Sequence, residues 1–137
     1  MRVRLVLTAA ALLTAAVAPL AHAGGADGLT VDEYGTVGAD STVTVSGTYR
    51  CLDDSEGPVF VSSTLKQGSR STGIGGTRAV CDGHLHTWTN SAVVKEPAYQ
   101  PGAARVEATL VQLTAGASGL PLPGFLATEQ ADVELRG

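Results

Sequence analysis

The ten residues from Thr42 to Cys51 alternate without a fault. Val43, Val45, Gly47, Tyr49 and Cys51 fall on one side, and Thr42, Thr44, Ser46, Thr48 and Arg50 on the other. Side chains on a β-strand point to opposite faces in turn, so this period of two specifies a half-buried strand. It also excludes an amphipathic helix, which needs apolar residues three and four apart. The rest of the chain agrees. Short apolar stretches recur about every ten residues, separated by Gly, Pro, Asp and Ser, and no stretch has a helical period. The pattern implies an all-β fold, an immunoglobulin-like antiparallel β-sandwich of about seven strands.

The N-terminus sets the compartment. Arg2 and Arg4 precede an apolar run from Leu5 to Leu20, and Ala21-His22-Ala23 offers small residues at a cleavage site. These are the parts of a secretory signal peptide over residues 1–23, cut between Ala23 and Gly24. Cleavage leaves 114 of the 137 residues, a single domain over residues 29–137 after a flexible leader at 24–28. No later apolar run reaches the ~18–20 residues of a membrane span. The non-adjacent arginines do not form a twin-arginine signal, and no cysteine follows the cut to carry a lipid. Leu120-Pro121-Leu122-Pro123-Gly124 superficially resembles a cell-wall sorting motif. It lacks the Thr of such motifs, and no apolar, basic tail follows it. The expected product is a secreted, extracellular monomer.

In an exported chain, two cysteines pair. Cys51 and Cys81 are the only two, so the connectivity has one solution. Without Arg2 and Arg4 the chain holds seven basic and thirteen acidic residues, a net charge of about −6. That balance, with no basic run, excludes a nucleic-acid partner and disfavours an anionic membrane surface.

The alternation places further strands. Leu29 to Glu33 and the residues around Val37 form a short first strand broken at Gly35. Pro58 opens a strand with Val59, Val61 and Leu65 on one face. Gly68 to Gly76 reads as a Ser/Gly loop. Thr77 to Cys81 and His84 to Thr89 read as strands joined at Asp82-Gly83, a hairpin signal. Ala103 to Leu113 sets Ala104, Val106, Ala108 and Leu110 against Arg105, Glu107 and Thr109. Gly116 to Gly124 reads as a loop, and Phe125 to Leu135 as a closing strand with a bulge or exposed edge near Glu129. Trp88 follows both cysteines, so the landmarks of a true immunoglobulin domain are missing.

Three blocks are distinctive: Thr44-Val45-Ser46-Gly47-Thr48-Tyr49-Arg50-Cys51 with Gly57 to Ser63; Gly73 to Gly83; and Gly119-Leu120-Pro121-Leu122-Pro123. They resemble a family of small secreted actinobacterial proteins classed as a domain of unknown function. The resemblance covers roughly Leu29 to Leu135. It implies one exported β domain with one disulfide, and supplies no activity, ligand or catalytic residue.

Candidate chemistry is sparse. On a strand, His84, His86 and Trp88 would share a side. Two imidazoles ~6–7 Å apart, with Asp82 beside them, make a weak metal-site candidate against the plainer reading of two turn-flanking histidines. Gly73-Ile74-Gly75-Gly76 lacks the Lys-Ser or Lys-Thr pair and the helix of a phosphate loop. No Gly-x-Ser-x-Gly elbow is present, and no spacing singles out two carboxylates for acid–base work. Neither an enzyme nor a cofactor is expected. Leu120, Leu122, Phe125 and Leu126, stiffened by Pro121 and Pro123, form either a contact patch for a partner or a cap over one open end of the sandwich. The expected role is a non-catalytic module binding an extracellular protein or cell-surface polymer, with this loop and the Asp82–Trp88 hairpin as candidate surfaces. The alternatives are a protease inhibitor presenting Arg70 from the Gly68–Gly76 loop, and a metal-binding protein or enzyme using His84 and His86.

Overall fold

A computed structural model describes residues 27–52 and 56–137. The expected signal peptide and residues 24–26 of the expected leader lie outside them. The described residues form eight strands: β1 (Gly28–Leu29), β2 (Tyr34–Val37), β3 (Thr42–Arg50), β4 (Val59–Gln67), β5 (Arg70–Arg78), β6 (His86–Val93), β7 (Gly102–Ala115) and β8 (Pro121–Arg136). One layer is β1-β3-β6, and the other is β8-β7-β4-β5. With β3 to β8 taken as strands B, C, C′, E, F and G, these are the ABE and GFCC′ sheets of an immunoglobulin-like sandwich. All pairings are antiparallel except one. β2 pairs antiparallel with β3 and parallel with β8, and so stitches the two layers along one side.

The alternation of β3 produces the expected burial. Val43, Val45, Tyr49 and Cys51 are buried, and they face Val59, Val61, Leu65, Val106, Ala108 and Leu110 of the opposite layer. Trp88 and Tyr99, both buried, fill the largest volumes. Their polar atoms are satisfied: Trp88 Nε1 donates to the Thr30 carbonyl at 2.9 Å, and the Tyr99 hydroxyl donates to the Leu65 carbonyl at 3.0 Å. Asn90 and Ser63 are the buried polar residues, and they bond each other across the layers at 2.9 Å.

Several local expectations change. Asp27 and Gly28 belong to the fold, since Asp27 Oδ1 accepts from the Leu52 amide and Gly28 pairs with Arg50. The break between the first strands lies at residues 30–33, and Gly35 sits within β2. The Gly68–Gly76 segment is not a loop, because all but its first two residues lie in β5. β5 pairs with β4 over Arg70 to Arg78 and buries Ile74. Gly75 fits a close approach of layers: a Cβ there would stand 3.0 Å from the Ser91 carbonyl oxygen. Asp82-Gly83 does not turn a hairpin either. β5 ends at Arg78 and pairs with β4, β6 begins at His86 and pairs with β3, and residues 79–85 cross between the layers. The Cys51–Cys81 disulfide, expected from the sequence, ties that crossing to the end of β3.

Candidate functional site

β7 and β8 form the longest pairing in the molecule, and at one end they outrun the sandwich. The last β4 partner of β7 is Val59, opposite Gln112, and the Leu113 amide still donates to the Pro58 carbonyl at 2.9 Å. Beyond that point the hairpin continues alone, through Thr114–Leu122 and Ala115–Pro121, to its turn. The Gly116 amide donates to the Leu120 carbonyl, and the Gly119 amide donates to the Gly116 carbonyl, each at 2.9 Å. Gly119 takes φ +79°. This is a three-residue hairpin loop, a tight turn followed by a left-handed residue that glycine adopts without strain. The sequence reading of Gly116 to Gly124 as a loop is therefore corrected: only the turn itself is loop, and Pro121 onward is strand.

The Gly116–Leu120 bond fixes the phase of the ladder. Residues opposite each other alternate between hydrogen-bonded and non-bonded pairs. Gly116–Leu120 is a bonded pair, so Ala115–Pro121 and Leu113–Pro123 are non-bonded, with their amide positions directed away from the partner strand. Pro121 and Pro123 thus stand where β8 would aim its N–H groups at the open edge. The residues that read as loop-formers are compatible with a strand because they occupy these positions.

A bulge at Leu126 divides the strand. Leu110 faces Ala127 and Val111 faces Phe125, which leaves Leu126 as the extra residue. The expected bulge thus lies three residues before Glu129. Past it the alternation inverts. Phe125 leaves the inward stripe of Ala127, Ala131, Val133 and Leu135 and joins the outer face, in a cross-strand row with Val111 and Phe60. Leu122, opposite Thr114, projects to the other side. Leu126 packs against the core and is not part of an exposed patch. Leu120 is 66%, Leu122 54% and Phe125 71% exposed, so these three do not cover the open end of the sandwich.

The outer face of β4-β7-β8 is graded. The row Phe60–Val111–Phe125 lies nearest the tip. Next comes Ser62–Thr109–Thr128, then Thr64–Glu107–Gln130, then Lys66–Arg105–Asp132. The last two rows are linked: Gln130 Nε2 donates to Glu107 Oε2 at 2.7 Å, and Arg105 Nη2 donates to Gln130 Oε1 at 3.0 Å. From Ala108 to Thr128 the chain carries no charge. Phe60 and Val111 were missed in the sequence. Each is an apolar residue at an outward position among Ser, Thr and charged neighbours, which is the signal that would have found them.

The second candidate surface is the disulfide corner. Asp82 Oδ1 accepts from the His84 amide at 2.9 Å and meets His86 Nε2 at 2.8 Å. The hydrogen bond to His86, and then that to the His84 amide, holds the Asp82 carboxyl below its ordinary value. The His86 ring stacks on Tyr49 with centroids 5.5 Å apart, and the Tyr49 hydroxyl accepts from the Val80 amide. β6 begins only at His86, so His84 does not share a strand face with His86 and Trp88, and Trp88 is buried. Among the described residues, no group of three or more His, Cys, Asp or Glu is placed to hold a metal ion. Arg70 sits in β5 with its guanidinium 4.2 Å from the centroid of the Tyr99 ring.

Both surfaces lie at the same end of the sandwich. The Ala79 amide bonds the Val59 carbonyl, and the disulfide joins the ends of β3 and the crossing segment there. Among the described residues, six of the eight exposed large apolar side chains are at that end: Leu52, Val80 and Leu85 at the disulfide corner, and Leu120, Leu122 and Phe125 on the hairpin.

The comparisons with known proteins follow the fold. Among solved structures, the chain is similar to a β-glucosidase from Listeria innocua, with 14% identity and a TM-score of 0.42 over 81% of this chain and 16% of that one. It thus spans about a sixth of that enzyme's length. It is also similar to murine CRIg, with 17% identity and a TM-score of 0.38 over 82% of this chain and 98% of that one. No curated protein sequence matches it. A family model matches residues 25–137, a range that includes all the described residues, and the protein belongs to that family, DUF6299, a family of unknown function.

Proposed function

We propose that this protein is an exported, non-catalytic module that binds a partner through the overhanging β7–β8 hairpin. The observation that carries the reading is the pair of faces the hairpin presents: Leu120 and Leu122 to one side, Phe125 beside Val111 and Phe60 to the other, with no charge along β7 and β8 between Glu107 and Glu129 and with Arg78 beyond Phe60 at the end of that row. Contiguous apolar surface is costly to leave in water, and charge depletion with aromatic enrichment is the mark of an interface centre. The disulfide is compatible with an oxidising, extracellular compartment. The polar groups at the disulfide corner are engaged in holding it, with Asp82 committed to both His84 and His86. Arg70 is stacked on Tyr99 within a regular strand and is not offered on a projecting loop.

The test uses the folded mature chain as bait against culture supernatant and cell-envelope fractions, with Leu122→Asp and Phe125→Asp as matched baits. The expected result is a partner retained by the parent chain and lost by both variants while their melting temperatures stay unchanged. A partner retained equally by all three baits places the contact elsewhere and overturns the reading.

A further inference from the structure

The hairpin shows what kind of surroundings it suits. A flat partner covers one face of a hairpin, but here both faces of the overhang are apolar. The outer face carries Leu113, Pro123 and Phe125, and the opposite face carries Leu120 and Leu122. A shallow groove of about 220 Å³ runs along the outer side between Pro58, Leu113, Ala115 and Pro121.

The backbone is adapted in the same direction. An apolar medium penalises every N–H left without an acceptor. Four positions of the overhang direct their amide outward: Leu113, Ala115, Pro121 and Pro123. The Leu113 amide is bonded to Pro58, and the two prolines have no N–H. Of these four, only Ala115 keeps an outward donor; at the turn, the Gly116 and Gly119 amides are bonded within the hairpin, while those of Ala117, Ser118 and Leu120 are left to the headgroup region. A partner strand added along β8 would need those donors, so the same prolines argue against edge-to-edge pairing, including pairing with a second copy. The tip also lacks the polar side chains that would hold a glycan: among residues 113–125, only Thr114 and Ser118 carry a hydroxyl.

Charge narrows the choice of apolar medium. The uncharged stretch is bounded by Glu107 and Glu129, Glu56 lies just before Gly57 and Pro58 at the hairpin's root, and Arg78 stands opposite Phe60. Three of these four groups are acidic, so an anionic bilayer is disfavoured, whereas a zwitterionic one is not. Leu113 to Gly116 spans about 10 Å of strand before the turn, matching the ~5–10 Å to which interfacial elements enter the boundary between headgroups and acyl chains. There the outward carbonyls still reach water.

Resting on the binding-module reading above, we infer that the β7–β8 hairpin inserts its tip into the interface of an electrically neutral, zwitterionic lipid bilayer. The body of the sandwich stays in water, and the disulfide corner with Leu52, Val80 and Leu85 faces the same surface.

The test is flotation of the mature chain with phosphatidylcholine vesicles, and with vesicles in which a third of the lipid is phosphatidylglycerol. The parent chain is expected to float with phosphatidylcholine. Leu122→Asp and Phe125→Asp are expected to lower the bound fraction at least ten-fold at unchanged near-UV circular dichroism, and phosphatidylglycerol is expected to weaken binding of the parent. Flotation that is absent, insensitive to both substitutions, or strengthened by phosphatidylglycerol overturns the inference. Absent flotation, together with a protein captured by the parent bait and lost by the same variants, overturns the lipid inference and leaves the binding-module reading standing. Absence of both overturns both.

Discussion

Trp88 and Thr30 are joined by a hydrogen bond that passes over Gly47. The indole Nε1 donates to the Thr30 carbonyl at 2.9 Å, and a Cβ on Gly47 would lie 1.9 Å from that carbonyl oxygen and 2.7 Å from Nε1. Gly47 occupies an inward position of β3 that the alternation assigns to an apolar side chain, and it is glycine because this bond takes its space. Gly47→Ala should therefore destabilise the fold by about 1–3 kcal/mol, the usual cost of overpacking. Gly28→Ala, where a Cβ meets nothing within 4 Å, should leave it nearly unchanged. Urea denaturation followed by Trp88 fluorescence measures both.

The disulfide offers a second check. It closes a separation of 30 residues between Cys51 and Cys81. In the chain-entropy model, such a loop contributes roughly 3–4 kcal/mol by restricting the unfolded state. A Cys51→Ala/Cys81→Ala double variant is expected to lose about that much at the urea midpoint, and parent protein reduced with dithiothreitol should match it. A loss below about 1 kcal/mol would mean that the corner is held by other contacts.

Those other contacts include the Asp82 clasp, which has a pH signature. The Asp82 carboxyl titrates below its ordinary value of 3.8, because the His86 hydrogen bond, then the His84 amide, favours its charged form. A carboxyl depressed in the folded state contributes stability at pH values above its unfolded pKa, and that contribution disappears as pH falls through the folded value. The Asp82 side-chain carboxyl carbon resonance should accordingly titrate with its midpoint below 3.8. In His86→Ala, which removes the larger cause, that midpoint should rise. An Asp82 carboxyl midpoint above 3.8 in the parent protein would show that the clasp does not form.

How much of this was legible in the sequence depends on which physical rule governed each segment. β3 was read correctly, because nothing competes with its alternation between a dry core and water. The disulfide followed from there being only two cysteines. β5 was hidden because Gly73, Gly75 and Gly76 have low strand propensity, and the reason for Gly75, the approach of β6, is a tertiary contact. The hairpin tip was hidden by Pro121 and Pro123, whose positions fit a strand only once the bonded pairs are known. The candidate site was accordingly half visible. Leu120, Leu122 and Phe125 were identified, but alternation sets Phe125 on the face opposite Leu120 and Leu122, and the bulge at Leu126 makes that the outer face, beside Phe60 and Val111.

The same dependence on tertiary context applies to Asn90, a polar residue in a fully buried position of β6. Its Nδ2 donates to the Val61 carbonyl at 3.1 Å and to Ser63 Oγ at 2.9 Å, and its Oδ1 accepts from Thr77 Oγ1 at 2.5 Å. Ser63 in turn donates to the Ile74 carbonyl at 2.6 Å. The network thus links β6 to both β4 and β5, where the two layers share no ladder. Asn90→Ala removes one partner each from the Val61 carbonyl, Ser63 Oγ and Thr77 Oγ1 and should cost about 1–3 kcal/mol, although Ser63 and Thr77 keep the Ile74 and Thr89 carbonyls as acceptors. Ser63→Ala should cost less, because it removes a donor to Ile74 and one acceptor for Asn90. The double variant should cost less than the sum of the singles, because residues in one network share their loss. Strict additivity in the urea midpoints would show that Asn90 and Ser63 act independently, and that the contact between layers rests on apolar packing alone.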